Sequence, residues 1–291
     1  MISPFTLHQP DSIEAAAALL AEYGEQARIL AGGSELVQLM KLGLSNPKHV
    51  IDIKRIPDLD LFGSDSTARA LKIGPLVTHR MLERSQVLRQ EFPLLAETAG
   101  RVGNVRLRNV GTLAGNLCSA HPNSDPGTLL MACQAAVKAR SVRGERIIEI
   151  SRFYVDSHQT ALAPDEILIG IEIPRLKEDF SGTCLRFSPD EWPMVQVALI
   201  MGWSDGGCAD VRLALGSVGP KPSRLGEVEE ILQGLSAEEI LSRTTELGER
   251  AARASRPEDD LRGSAEYKRH VVKVLVARAL SDLCRRRNLH G

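Results

Sequence analysis

The stretch that decides the fold is Arg106–Asp125, RLRNVGTLAGNLCSAHPNSD. It gathers Gly111, Thr112, Gly115, Asn116, Ser119, Ser124 and Asp125, with Leu113 and Leu117 as apolar pegs between them. Glycines at this spacing weaken a helix and add nothing to a strand interior. They do let backbone N–H groups approach an anion without a Cβ in the way. Asp125-Pro126 reads as a helix start, an N-cap followed by proline at the first helical position. Leu129, Leu130 and Met131 make that helix a buried one. The expectation is an extended ligand loop delivered onto a helix.

A second stretch agrees with the first. Arg28–Lys41, RILAGGSELVQLMK, has a short apolar strand at Ile29-Leu30, a Gly32-Gly33 turn, and Ser34 as the expected N-cap. A helix with Leu36, Leu39 and Met40 on one face follows, and Gly43 ends it. Strand, double glycine and helix N-terminus form a phosphate site, with free N–H groups at the positive end of the helix dipole. No Gly-Lys-Ser/Thr follows, and the spacing is not GxGxxG, so neither common nucleotide loop applies. A diphosphate held by backbone alone, from two glycine turns, is what remains.

Taken together, LAGGSELVQLMK with VIDI soon after, IGPLVTH, and RNVGTLAGN…PNSD resemble the FAD-binding medium subunit of the molybdenum hydroxylases. That family includes the carbon monoxide dehydrogenase medium subunits and the flavin domain of xanthine dehydrogenase, and the resemblance spans nearly the whole chain. It implies an α+β protein with a two-lobed FAD-binding domain of the PCMH type over residues 1–176, its lobes at about 1–55 and 56–176. A C-terminal antiparallel three-stranded sheet with helices would occupy 177–291. It also implies non-covalent FAD, a 2Fe-2S small subunit feeding electrons in, and a molybdenum-cofactor large subunit where substrate is oxidised. The expected assembly is a dimer of heterotrimers, and this chain would hand electrons to a terminal acceptor: NAD, quinone or oxygen. The alternative is a free-standing FAD-dependent oxidoreductase of the same fold. A non-redox binder of another diphosphate would explain the glycine turns but not their order.

Residue by residue, the resemblance carries the first pyrophosphate loop onto Leu30, Ala31, Gly32, Gly33, Ser34, Glu35 and Leu36. The second loop falls on Gly111, Thr112, Ala114, Gly115 and Asn116, with Ala114 standing where the family usually has glycine. Asp125 matches the carboxylate that hydrogen-bonds the ribityl hydroxyls. Leu168, in EILIGIEI, matches a residue packed against the isoalloxazine, and Arg186, in CLRFS, a basic residue near the ring. Val102 lies where some relatives stack an aromatic on adenine. Each also has a plain structural reading: Ser34 and Asp125 as caps, Leu168 as strand core, Arg186 as a surface arginine on a strand. No catalytic residue and no metal ligand is expected in this chain.

Composition is consistent with these readings. The 291 residues suffice for two domains with good cores, and 43% hydrophobic with 25% charged residues is ordinary for a globular protein. A formal net charge of −1 gives no electrostatic case for nucleic acid or an acidic membrane. MISPFTLHQP has no basic or apolar leader character and no run approaches a membrane span, so the expected site of action is the cytoplasm. Five scattered cysteines without a CxxC pair argue against a disulfide framework, zinc or an iron–sulfur cluster in this chain. Cys118 reads as a small buried hydrophobe and His121 as topping a turn.

Elsewhere the pattern predicts a first helix capped at Asp11 or Ser12 and closed by Gly24, and a strand at His49–Ile53. Thr78 caps a short helix, AVKARS and RIIEI pair as a hairpin, and Pro174 stops a strand from Glu166. Cys184–Phe187, Met194–Trp203 and Val211–Val218 read as three antiparallel strands turned by Asp205-Gly206-Gly207. Helices follow at Leu225–Leu235, Ala237–Ala254 and Ala265–Arg287, the last with an apolar stripe at Val272, Leu275, Val276, Ala279, Leu280 and Leu283. Arg253–Arg262 reads as a solvated linker.

Overall fold

The computed structural model describes residues 2–63, 70–177, 179–204 and 206–290. The first lobe is a three-stranded parallel sheet of β1 (Thr6–His8), β2 (Ala27–Leu30) and β3 (His49–Asp52), with β3 in the middle. Helix α1 (Ile13–Tyr23) begins where the Ser12 side chain accepts from the Ala15 amide, and ends at Gly24 with φ 51°. Its Ala16 and Leu20 pack with Ile51 and Ile53 to form a small separate core. Helix α2 (Leu36–Lys41) runs between the parallel strands β2 and β3, so β2–α2–β3 is a βαβ unit. It starts one residue later than expected. Glu35, not Ser34, holds the N-cap position, and no side chain caps it.

The sheet of the second lobe is antiparallel. Strands β4 (Phe62–Gly63) and β5 (Ala70–Ile73) lead into a helical run: α3 (His79–Arg84), α4 (Gln86–Glu91), α5 (Pro93–Arg101), α6 (Val105–Val110), α7 (Leu113–Ser119) and α8 (Asp125–Ala132). The hairpin β6 (Ala136–Ser141) and β7 (Gly144–Glu149) follows, then α9 (Ile150–Phe153), the pair β8 (Tyr154–Asp156) and β9 (Gln159–Thr160), and β10 (Ile167–Pro174). Sheet order is β4-β5-β10-β6-β7. Here the expected extended loop is corrected: Arg106–Asp125 is two short helices broken at Gly111-Thr112. Gly115 lies inside the second because the Thr112 side chain accepts from its amide at 2.9 Å, a cap bond that offsets glycine's low propensity. Asp125 is likewise one place inside α8, and Ser124 is its N-cap.

The third sheet contains the three expected strands and a fourth short one: β11 (Phe180–Phe187), β12 (Val195–Ser204), β13 (Gly207–Gly216) and β14 (Ser223–Arg224), in that order. Asp205, expected in the β12–β13 turn, lies outside the described residues. β12 is buried on both faces, and its alternation sorts them. Val195, Val197, Leu199 and Met201 meet the helices α10 (Gly226–Leu232), α11 (Ala237–Ala254) and α12 (Ala265–His290), with the expected α12 stripe fully in that core. Ala198 and Ile200 face the other way, into the core that holds α7, α8 and β10. The third sheet thereby closes over α8. The linker Arg253–Arg262 is less solvated than expected: Ser255 and Pro257 are buried, and the buried Lys268 donates to the Glu258 carbonyl at 2.7 Å.

A cleft built from two glycine turns and a buried ion pair

The two glycine turns, far apart in sequence, touch. A Cβ on Gly32 would stand 1.9 Å from the Val110 carbonyl oxygen, and one on Gly111 would stand 3.3 Å from Ser34 Oγ. Gly32 is therefore glycine because the second turn's backbone occupies the space. Gly33 is glycine because its φ is +74°. The second turn is clamped from behind: His79 N donates to Gly111 O and Leu113 N to Val77 O, both at 3.0 Å. In front, the amides of Gly32, Gly33, Ser34 and Glu35, and of Thr112 and Ala114, donate to no acceptor among the described residues. Unclaimed donors on two touching turns, each at a helix start, suit an anion with several oxygens. Ala114 has ordinary negative φ inside α7, so alanine costs no strain there.

Leu30 ends β2 beside Asp52 of β3, and Ala31 and Leu36 flank the first turn half-buried. Lys54, which the sequence reading missed, places Nζ 3.4 Å from Ala31 O and 2.8 Å from Asp52 Oδ1. It sits where two parallel strands end, a position with no local sequence signature. Asn116 projects from α7, and its Oδ1 accepts from Ser124 Oγ, tying α7 to the start of α8.

The other end of the site is the start of α8, a helix buried over its whole length. Asp125 and Arg186, 61 residues apart, meet here: Arg186 Nη1 donates to Oδ1 and Oδ2 at 3.0 Å each and to the Arg101 carbonyl at 3.0 Å. Arg186 is thus not the lone surface arginine of the plain reading. Burial pushes the Asp125 carboxyl up to about 6, against the pull of Arg186's charge and hydrogen bonds. Val102 follows Arg101 at the end of α5, is 7% exposed, and has its carbonyl held by Arg108. Leu168 is 4% exposed, in the core at a bulge between β10 and β6. The Tyr154 hydroxyl is buried without a partner among the described residues; a Cβ on Gly127 in the first turn of α8 would lie 2.7 Å from it. Nothing in the sequence around Tyr154 signals this.

One of two expectations about the loop changes. Cys118 is exposed rather than buried, because it lies on the open side of α7; the protein crowded around it still pushes its thiol up to about 12, so it stays protonated. His121 does top a turn, accepting from the Asn123 amide at 3.1 Å, and its ring stacks 4.2 Å from that of Trp192 on the β11–β12 connection. Burial, then His158 and Arg262, depress its pKa to about 4, so the stacked imidazole is neutral.

A family model for the FAD binding domain in molybdopterin dehydrogenase matches residues 3–176, and one for the CO dehydrogenase flavoprotein C-terminal domain matches 185–283. The carbon monoxide dehydrogenase medium chain of Hydrogenophaga pseudoflava is 31% identical over 97% of this chain and 98% of its own. The nicotine 6-hydroxylase medium subunit of Paenarthrobacter nicotinovorans is 31% identical over 94% and 95%. A structure of the Hydrogenophaga pseudoflava carbon monoxide dehydrogenase lacking the Mo-pyranopterin moiety superposes with a TM-score of 0.89 at 29% identity, covering 96% and 97% of the two chains. Quinoline 2-oxidoreductase from Pseudomonas putida 86 shares the fold, with a TM-score of 0.89 at 23% identity. With two glycine turns that meet and match in order, the chain belongs to the FAD-binding medium subunits of the molybdenum hydroxylase family.

Proposed function

We propose that the chain binds one FAD non-covalently and works as the electron-transfer subunit of a molybdenum-containing hydroxylase. In that role it takes electrons from a 2Fe-2S subunit and delivers them to a terminal acceptor. The observation that carries the FAD assignment is the contact between the two glycine turns, with six backbone amides left unclaimed around it. A diphosphate fits such a cradle, because charge-assisted N–H···O bonds need closeness rather than particular side chains. In this reading Gly32–Glu35, Thr112 and Ala114 hold the diphosphate, and Asp125 accepts from ribityl hydroxyls. Arg186 keeps a positive charge beside the ring, Leu168 backs the site from the core, and Val102 offers adenine an aliphatic wall instead of an aromatic one.

FAD, when bound, supplies the one- and two-electron redox chemistry. This chain's residues bind it, orient it and keep a cation where negative charge develops on reduction. We assign cofactor binding to residues 1–176 and the closing sheet and helices to 177–291. The partners would be a small 2Fe-2S and a large molybdenum subunit in a dimer of heterotrimers. Support comes from relatives named as medium chains or subunits of carbon monoxide dehydrogenase and nicotine 6-hydroxylase. All five cysteines are free, in keeping with action in the cytoplasm, and no described helix is long and apolar enough to cross a membrane.

The test is stopped-flow absorbance of the isolated chain and of the reconstituted complex with candidate heterocycles, aldehydes and carbon monoxide. Dithionite should bleach the flavin in both, and organic substrate only in the complex. Bleaching by substrate in the isolated chain would instead establish a free-standing oxidoreductase.

A further inference from the structure

One row of residues crosses the third sheet beneath α8: Arg186 on β11, Gln196 on β12 and Gly216 on β13, each directly opposite the next. Opposed residues share a face, and this is the face that carries Ala198, Ile200 and Ala214 into the core under α8. Asp125 sits at the Arg186 end of the row. Thr128, one turn along α8, sits at the other, where a Cβ on Gly216 would come within 1.9 Å of its hydroxyl and 3.2 Å of Gln196 Oε1. Gln196 lies between them, 1% exposed, and neither Oε1 nor Nε2 has a hydrogen-bond partner among the described residues. A buried amide left unsatisfied on both atoms works against folding and needs a reason.

Arg186 has the complementary surplus. Nη1 makes all three of its bonds, which crowds three acceptors onto two hydrogens. Nη2 and Nε have no acceptor among the described residues. Arg186, with spare donors, is thus paired across one strand with Gln196, whose amide oxygen lies toward Gly216 and reaches the guanidinium only once the amide turns, while Asp125 has both oxygens engaged.

We propose that Gln196 is a positioning residue for Arg186: its amide oxygen is a second berth for the guanidinium, taken up when Asp125 turns to the hydroxyls of bound FAD. The proposal rests on the FAD reading given above. The neutral amide satisfies Arg186 without cancelling its charge, so the cation stays beside the cofactor while the carboxylate is released to it. A second carboxylate in place of Gln196 would neutralise that cation, and an apolar residue would leave it no berth.

The experiment is a double-mutant cycle read by FAD titration, with thermal denaturation of each FAD-free chain. The set is the wild type, Gln196→Leu, Arg186→Met and the double variant. FAD-free Gln196→Leu should melt no lower than wild type, since an apolar group replaces an unsatisfied amide. Its FAD affinity should nevertheless fall roughly three- to tenfold. In the Arg186→Met background, Gln196→Leu should have no further effect, which a merely structural role would not produce. If the leucine variant does not fold, Gln196→Met removes the same acceptor with a more adaptable side chain and carries the same expectation. Unchanged affinity in the glutamine variant, or an equal loss in both backgrounds, would overturn the proposal alone. A wild-type chain that takes up no FAD would remove the FAD reading, and this proposal with it.

Discussion

Arg186 holds Asp125 through a single nitrogen, 3.0 Å from each carboxylate oxygen, yet burial outweighs the pairing and leaves the carboxyl titrating at about 6. Two consequences can be measured, one on folding and one on cofactor binding.

For folding, the folded chain holds the Asp125 proton more tightly than the unfolded chain, whose aspartates titrate near about 4. The contribution is therefore fully present below about pH 4 and is lost as pH rises through about 6, on the order of 2–3 kcal/mol for this group. Denaturant titrations of the FAD-free chain across that window should show Asp125→Asn gaining on wild type as pH rises. Parallel pH profiles would show that Asp125 ionises without cost.

For the cofactor, hydroxyl donors favour the carboxylate. FAD affinity should rise between about pH 5 and 7 as Asp125 loses its proton, and the rise should vanish in Asp125→Asn. Fluorescence titration across this range checks it. A flat wild-type profile would remove Asp125 from the site.

The glycines should rank by what their missing Cβ would meet. Gly32→Ala places an atom 1.9 Å from the Val110 carbonyl, so it should push the two turns apart and lose both stability and FAD. Gly33→Ala should cost about 1–2 kcal/mol for its φ of +74°, plus a shift of the flexible Leu30 side chain. Gly115→Ala meets only Thr112 Oγ1, at 3.0 Å, and should keep the fold, its cost being no more than the cap bond at about 1 kcal/mol. Melting temperatures and FAD titrations of the three variants check the order. A Gly32→Ala protein with wild-type stability would mean that the turns do not touch.

The sequence made the repetitive parts of this structure legible. The α12 stripe repeats at helical spacing, the Ser12 and Thr78 caps bond the amides their positions imply, and the β6–β7 hairpin announces its turn. Strands β1 and β14 were not legible, since two or three residues have no period to detect. The glycine stretch was legible as a candidate site and illegible as helix, because one Thr112 cap bond outweighs a propensity. Of the candidate site, the turns carried a local signature. The Asp125–Arg186 pair, the Gln196 orphan and Lys54 did not, since each arises where segments distant in sequence are packed together.

The cofactor, if held as described, is released by denaturation, because backbone amides and an ion pair form no covalent link. Acid precipitation of the purified yellow chain should leave all the flavin in the supernatant. Colour retained in the pellet would contradict non-covalent binding.

The most direct test of the whole account is native mass spectrometry of the protein isolated from its own host. The account predicts this chain with one FAD, in an assembly whose other masses are a 2Fe-2S subunit and a molybdenum-cofactor subunit. A lone chain carrying FAD and turning over substrate unaided, or an assembly in which this chain carries no flavin, would contradict it.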